Sequence, residues 1–287
     1  MKIAILGPGA IGSTFAFHLS RARHDVTVIA RGARLDWLRK ERAIVTTRGE
    51  RAPVEVSDAL DTTVPWDLVL VSVLESQVDA VLPALRQSAA KQVMFMFNTF
   101  APLDRLRDVV GADRFRFGFP AIMAGLVDGR LKAQVIPRSA VAPQITIVTD
   151  PAWAEVFSQA GIATDTQTDM HSWLRTHAAL VVPMMIIFDR VYRRGHGLSW
   201  TEARELALGL TEGLELVRSL GNPLTPSGAA VLGKLPTSAV SLLLWTLSRN
   251  STLTALGVQG PGEARTLIDA MVATAPDRTP RLQSLRP

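Results

Sequence analysis

The chain of 287 residues reads as an α/β protein: a doubly wound, mostly parallel N-terminal sheet followed by an all-helical C-terminal domain. Three observations predict this. Short apolar, β-branched runs alternate with helical spacing until about residue 150, the pattern of successive βαβ units. The first run ends in three glycines at G-x-G-x-x-G spacing. From Asp169 onward the apolar spacing is helical and no convincing strand remains. The expected domains are residues 1–167 and 168–287.

Lys2–Leu6 (KIAIL) is the first strand and stops at Gly7. Gly7 permits a tight reversal, Gly9 lets backbone approach a pyrophosphate, and Gly12 lets the helix pack closely on the strand. The helix opens near Ala10 and carries Ile11, Phe15 and Leu19 on one side. Its free N–H groups and positive dipole end suit a phosphate. The turn Gly7, Pro8, Gly9, Ala10, Ile11 and Gly12 is therefore expected to bind a dinucleotide, which makes the N-terminal half Rossmann-type. Val26–Ala30 is the second strand. An NAD site wants an acidic residue at its end to accept from the ribose hydroxyls. Arg31 stands there instead, with Arg34 nearby, and a planar guanidinium suits a 2′-phosphate. The expected cofactor is NADP(H).

Farther on, Ala43–Thr47 and Val54–Val56 look like a surface hairpin around Arg48-Gly49-Glu50. Leu68–Val73 is a continuous apolar run typical of a strand buried on both faces, and helix follows to Arg86. Val93–Phe97 is a strand ending at Asn98, and Leu103–Val110 is helical. Arg116–Ala121 and Ala133–Ile136 read as strands on either side of Asp128-Gly129, and Ile145–Val148 as another. In the second half Trp173–Arg190, Trp200–Leu220, Thr225–Leu232, Ser238–Ser248 and Gly262–Ala275 have helical spacing. Pro183 implies a kink or local break in the first of them. The last dozen residues, with Pro276, Pro280 and Pro287, read as a frayed tail.

Composition narrows the functions. No cysteine is present, which excludes disulfides, thiol nucleophiles and thiolate metal sites. The five histidines form no H-x-x-x-H pair with a nearby acid, so no metal site is expected. The net charge of +5 comes from dispersed arginines without a basic run, which argues against nucleic acid and suits a polyanionic cofactor. Glycines and a proline interrupt the N-terminal apolar run, unlike a signal peptide. The longest apolar stretches fall short of the ~20 residues that span a bilayer. A soluble, cytoplasmic protein without a membrane partner is expected.

GPGAIG at residue 7, Arg31 closing the second strand, Asn98 ending a later one, and a helical second half together resemble the ketopantoate reductase (2-dehydropantoate 2-reductase) family. LVLVSVLESQ, FMFNTFAPLDRL and the DGRL segment strengthen the resemblance over residues 1–135. The family's members use NADPH to reduce a 2-oxo acid to a hydroxy acid. The resemblance implies that Asn98, in Phe97-Asn98-Thr99, takes the place of the asparagine of the H-N-G motif beside nicotinamide and substrate. Leu74 stands where the family has a lysine contacting cofactor or substrate. Trp173-Leu174-Arg175 occupies the W-x-K motif, so Arg175 replaces the catalytic lysine. Ala179 and Pro183 replace two substrate-binding asparagines. Glu263, within GPGEARTLID, is the counterpart of the catalytic glutamate, and either Ser238 or Ser241 that of a substrate-binding serine.

These replacements alter the chemistry. A lysine can both stabilise and protonate the oxygen that receives a hydride. Arginine stabilises the charge and grips a carboxylate, but with a pKa above ~12 it is a poor proton donor. Leu74, Ala179 and Pro183 also imply a more apolar pocket. The expected function is an NADP-dependent reductase of the ketopantoate reductase type, delivering hydride to a 2-oxo acid or related carbonyl compound. Arg175 and Glu263 are its catalytic residues. Gly7–Gly12, Arg31, Leu74 and Asn98 bind its cofactor. Its partners are a small-molecule carbonyl substrate and a second copy through the helical domain. The alternative is an NADP(H)-binding sensor or scaffold that has lost catalysis.

Overall fold

The computed structural model describes residues 1–137, 145–250 and 261–287. Contacts divide the chain into two units: Met1–Phe97 with Leu103–Met170, and Asn98–Pro102 with His171–Pro287. The first unit is built on eight strands: β1 (Lys2–Leu6), β2 (Asp25–Ile29), β5 (Glu55–Ser57), β6 (Leu68–Val71), β7 (Val93–Met96), β8 (Phe115–Phe119), β11 (Thr146–Val148) and β12 (Thr164–Thr166). They lie in the order β12-β11-β8-β7-β6-β1-β2-β5, and every neighbouring pair is parallel except β11 with β8. The central strands are continuous apolar runs because helices cover both faces. On one flank α1 (Ala10–Arg21) buries Phe15, Ala16 and Leu19. Phe15 meets Phe157 of α5 (Pro151–Gln159) edge-on, with ring centres 5.0 Å apart.

Several elements depart from the sequence reading. Arg31 caps a helix, α2 (Gly32–Glu41), that the basic composition of this stretch concealed. The expected hairpin across residues 43–56 divides. β3 (Ala43–Val45) pairs with β4 (Arg51–Pro53), whereas β5 joins the main sheet beside β2. The helix expected after β6 begins as a 3-10 turn, Glu75–Ala80, before α3 (Leu82–Gln87). Between α4 (Asp104–Val110) and β11, the Asp128-Gly129 turn joins β9 (Ile122–Val127) to β10 (Arg130–Val135) in a separate two-stranded sheet. Both turn residues have positive φ, 50° and 77°, as a tight hairpin requires.

In the second unit α6 (Met170–Arg194) runs through Pro183 as one helix, so of the expected kink or local break it is the break that does not occur. It is followed by α7 (Trp200–Ser219), α8 (Ser227–Leu232), α9 (Thr237–Leu247) and α10 (Pro261–Thr274). A capping box starts α7: Ser199 and Glu202 satisfy each other's backbone N–H groups. The end of the chain is not frayed. A 3-10 turn, Pro276–Arg278, leads to α11 (Pro280–Ser284), which packs on α7 and buries Leu282 and Leu285. Glu212 of α7 accepts from the N–H groups of Arg281 and Leu282, capping this short helix from a distance. No helix among the described residues is long and apolar enough to cross a membrane.

Candidate functional site

The glycine turn lies where the strand order reverses. β1 has β2 on one side and β6 on the other, the switch point at which open α/β sheets bind ligands beyond their strand ends. Gly7 has φ +88°, and a Cβ there would lie 2.6 Å from Val73 Cγ1. At Gly12 a Cβ would lie 2.3 Å from Ser72 Oγ and 2.6 Å from the Gly7 carbonyl oxygen. Both glycines are required by packing. Gly9 is different: it is exposed, and a Cβ would meet nothing nearer than the Gly7 oxygen at 4.0 Å. The fold itself leaves room at Gly9, whose cradle is therefore a candidate for a ligand.

The donors at this cradle are also unspent. Gly9 is the N-cap of α1 and offers no capping side chain, so the first-turn N–H groups of Ala10, Ile11 and Gly12 are capped by nothing local. The turn's carbonyls are engaged. Gly7 O accepts from Gly9 N at 2.7 Å and Ser72 Oγ at 2.9 Å, and Pro8 O from Ser13 Oγ at 2.9 Å and Arg34 Nε at 2.9 Å. Free donors, occupied acceptors and a helix dipole together suit an anion such as a pyrophosphate.

The two arginines after β2 part company. Arg31 is exposed, and its side chain makes no hydrogen bond or ion pair among the described residues. Arg34, which the sequence offered as a second phosphate ligand, is turned to other work. Besides Pro8 O, it donates to Ser13 Oγ at 2.8 Å and Gly129 O at 2.6 Å, and it lies 4.8 Å over the Trp37 ring. Burial pushes its pKa down to about 10, still far above neutrality. Leu74 follows β6, is 59% exposed, and caps the 3-10 turn.

In the second unit Asn98 and Glu263, 165 residues apart in sequence, meet: Asn98 Nδ2 donates to Glu263 Oε1 at 2.6 Å. Both are half-buried. Arg175 is buried at 7% exposure; Nε donates to Phe100 O at 3.2 Å and Nη1 to Asn222 Oδ1 at 2.6 Å. Asn222 in turn donates to Ser172 Oγ at 3.0 Å. Asn222 had no signal in the sequence beyond its place in a helix-stop loop. The guanidinium is thus held two residues along the chain from Asn98.

The expected apolar pocket at 179 and 183 is not formed. Ala179 is 1% exposed and Pro183 is also buried. A Cβ on Gly213 of α7 would lie 3.1 Å from that of Ala179, so the small residues at these positions let α6 and α7 approach closely. Ser241 is buried and donates to its own helix at Thr237 O, whereas Ser238 is exposed.

Residues 3–135 match the family profile described as ketopantoate reductase PanE/ApbA. The 2-dehydropantoate 2-reductase of Vibrio cholerae serotype O1 is 31% identical over 137 residues, which are 46% of this chain and 42% of that relative. The match therefore spans less than half the relative's length. Among solved structures, a PanE/ApbA family ketopantoate reductase from Ralstonia eutropha JMP134 has a TM-score of 0.74 at 20% identity, covering 100% of this chain and 96% of that one. A D-mandelate dehydrogenase, solved with NADH and anilino(oxo)acetate, gives 0.71 at 17% identity with the same coverages. Likeness at these identities establishes the fold: a Rossmann-type N-terminal half and a helical C-terminal half.

Proposed function

We propose that the chain is a member of the ketopantoate reductase family, whose profile its residues 3–135 match, and that it is an NADPH-dependent reductase of a 2-oxo acid or related carbonyl compound. The observation that carries this reading is the cradle at Gly9, open to a ligand and facing the uncapped start of α1. The main-chain donors of Ala10, Ile11 and Gly12 hold the pyrophosphate, with Gly7, Pro8 and Gly9 shaping the turn. Arg31, exposed and uncommitted, takes the 2′-phosphate, and Leu74 and Asn98 complete the cofactor's contacts. When bound, the reduced nicotinamide supplies the hydride.

The chain's own groups orient the carbonyl and supply the proton. Asn98 donates to Glu263, which leaves its Oδ1 to accept from a hydroxyl. Glu263, bound through Oε1, has Oε2 for proton exchange with the substrate oxygen. Hydride at carbon and a proton at oxygen convert the carbonyl to a hydroxyl. Arg175, fixed by Phe100 O and Asn222, supplies positive charge to an anionic substrate. We place the protein in the cytoplasm and propose a homodimer through the helical unit. The apolar side chains of Leu242 and Leu243, 52% and 50% exposed on α9, support the dimer, and molar mass by light scattering tests it.

The commitment of two Arg175 nitrogens also favours a second reading, an NADP(H)-binding sensor or scaffold without turnover. Titration calorimetry with NADPH and NADH, followed by NADPH oxidation across a panel of 2-oxo acids, separates the two. Turnover that falls about 10²–10⁴-fold in Glu263→Gln, with NADPH affinity kept, supports the reductase. Tight NADPH binding without oxidation of any substrate selects the sensor. A preference for NADH overturns the role of Arg31.

A further inference from the structure

We infer that Arg34 is a positioning residue of the dinucleotide turn, locked in place by the Asp128-Gly129 hairpin turn; the inference rests on the dinucleotide reading above. Arg34 is not placed against any reacting atom. It stands in the first turn of α2, and its planar fork reaches three acceptors on three elements: Pro8 O in the glycine turn, Ser13 Oγ in α1 and Gly129 O between β9 and β10. Pro8 O, Ser13 Oγ and Arg34 form a closed triangle, because Ser13 donates to Pro8 O as well. The Gly7 carbonyl is held separately by Ser72 and Gly9 N. A flip of either peptide would present an oxygen where an anion expects a donor. With both carbonyls tied, only N–H groups remain to meet a phosphate.

The hairpin turn fits this role closely. Gly129 has φ +77°, and a Cβ there would lie 2.4 Å from Trp37 Nε1. Only glycine lets the Gly129 carbonyl reach Arg34 while Trp37 lies beneath the guanidinium. The DGRL segment, which no cofactor contact explains, thereby gains a reason.

A direct ligand and a positioning residue predict different results. Lysine keeps the charge but lacks the fork that meets three acceptors at once. Arg34→Lys and Arg34→Gln should each weaken NADPH and NADH by the same factor, about tenfold, the equivalent of one lost charge-assisted hydrogen bond. KM for the carbonyl substrate should not move. Gly129→Ala, which displaces Trp37 and touches neither α1 nor the glycine turn, should reproduce the equal loss, and it stands in if Arg34→Gln fails to fold. Loss of NADPH affinity alone would make Arg34 a 2′-phosphate ligand and overturn the inference. Wild-type affinity in Arg34→Lys would reduce its role to charge and also overturn it. A lowered melting temperature with both Kd values unchanged would do the same, leaving only a structural part. Should the wild-type protein bind neither nucleotide, the dinucleotide reading itself fails and this one with it.

Discussion

Gly9→Ala separates the needs of the fold from those of a ligand. Gly9 has φ −68° and ψ −155°, extended backbone that alanine adopts. The added methyl meets no atom within the usual contact distance, the nearest being Gly7 O at 4.0 Å. Exchanging glycine for alanine at an N-cap then costs under about 1 kcal/mol. A pyrophosphate drawn against the N–H groups of Ala10–Gly12 must pass over this Cα. A methyl there displaces it enough to lose at least one charge-assisted hydrogen bond, roughly 1.5–3 kcal/mol, or about 10–100-fold in Kd. Gly12→Ala is the contrast. Its Cβ would sit 2.6 Å from the Gly7 carbonyl oxygen, backbone that cannot step aside, so stability itself should fall by about 1–3 kcal/mol. Melting curves with and without NADPH, together with calorimetric Kd values, read both effects. If Gly9→Ala binds NADPH within about twofold of wild type, the nucleotide does not approach Gly9 and the cradle argument is wrong.

Three further outcomes follow from the geometry. Arg31→Ala should weaken NADPH by about 10–100-fold and leave NADH nearly unchanged, since only the phosphate contact is removed; parallel titrations check the ratio. Leu282→Ala should cost about 2–5 kcal/mol in urea unfolding, because Leu282 is wholly buried; a frayed tail would show almost nothing. Stability should also fall as pH drops from about 6.5 toward 4. Burial beside Trp173 lowers the pKa of His177 from 6.5 to about 4, so in this window the unfolded chain binds the extra proton and unfolding is favoured, by up to about 3 kcal/mol. His177→Gln should flatten that dependence; an unchanged slope in the urea midpoints would assign it to other groups.

Legibility followed chain distance. The glycine turn occupies six consecutive residues and is legible from their spacing alone, although the atoms that leave no room for a side chain at Gly7 and Gly12 include Val73 and Ser72, far along the chain. Asn98 and Glu263 could be named only through a family resemblance, because nothing local says that residues 165 positions apart will share a hydrogen bond. Arg34 shows the limit most clearly. Its type and place after β2 suit a phosphate, yet its side chain is taken up by Pro8 O, Ser13 Oγ and a hairpin turn 95 residues away.

From the sequence alone came the α/β-then-helical order, the glycine turn after β1 and the arginine at the end of β2. Apolar periodicity and turn stereochemistry are properties of short stretches. Tertiary packing alone decided that Ala179 serves the contact of α6 with α7 rather than a pocket. It likewise decided that Arg175 is anchored on Phe100 and Asn222, and that residues 280–284 form a helix. A five-residue helix does not hold in water without a surface to bury it, and a guanidinium takes whichever acceptors the fold brings within about 3 Å. Such partners exist only once the distant parts of the chain have met.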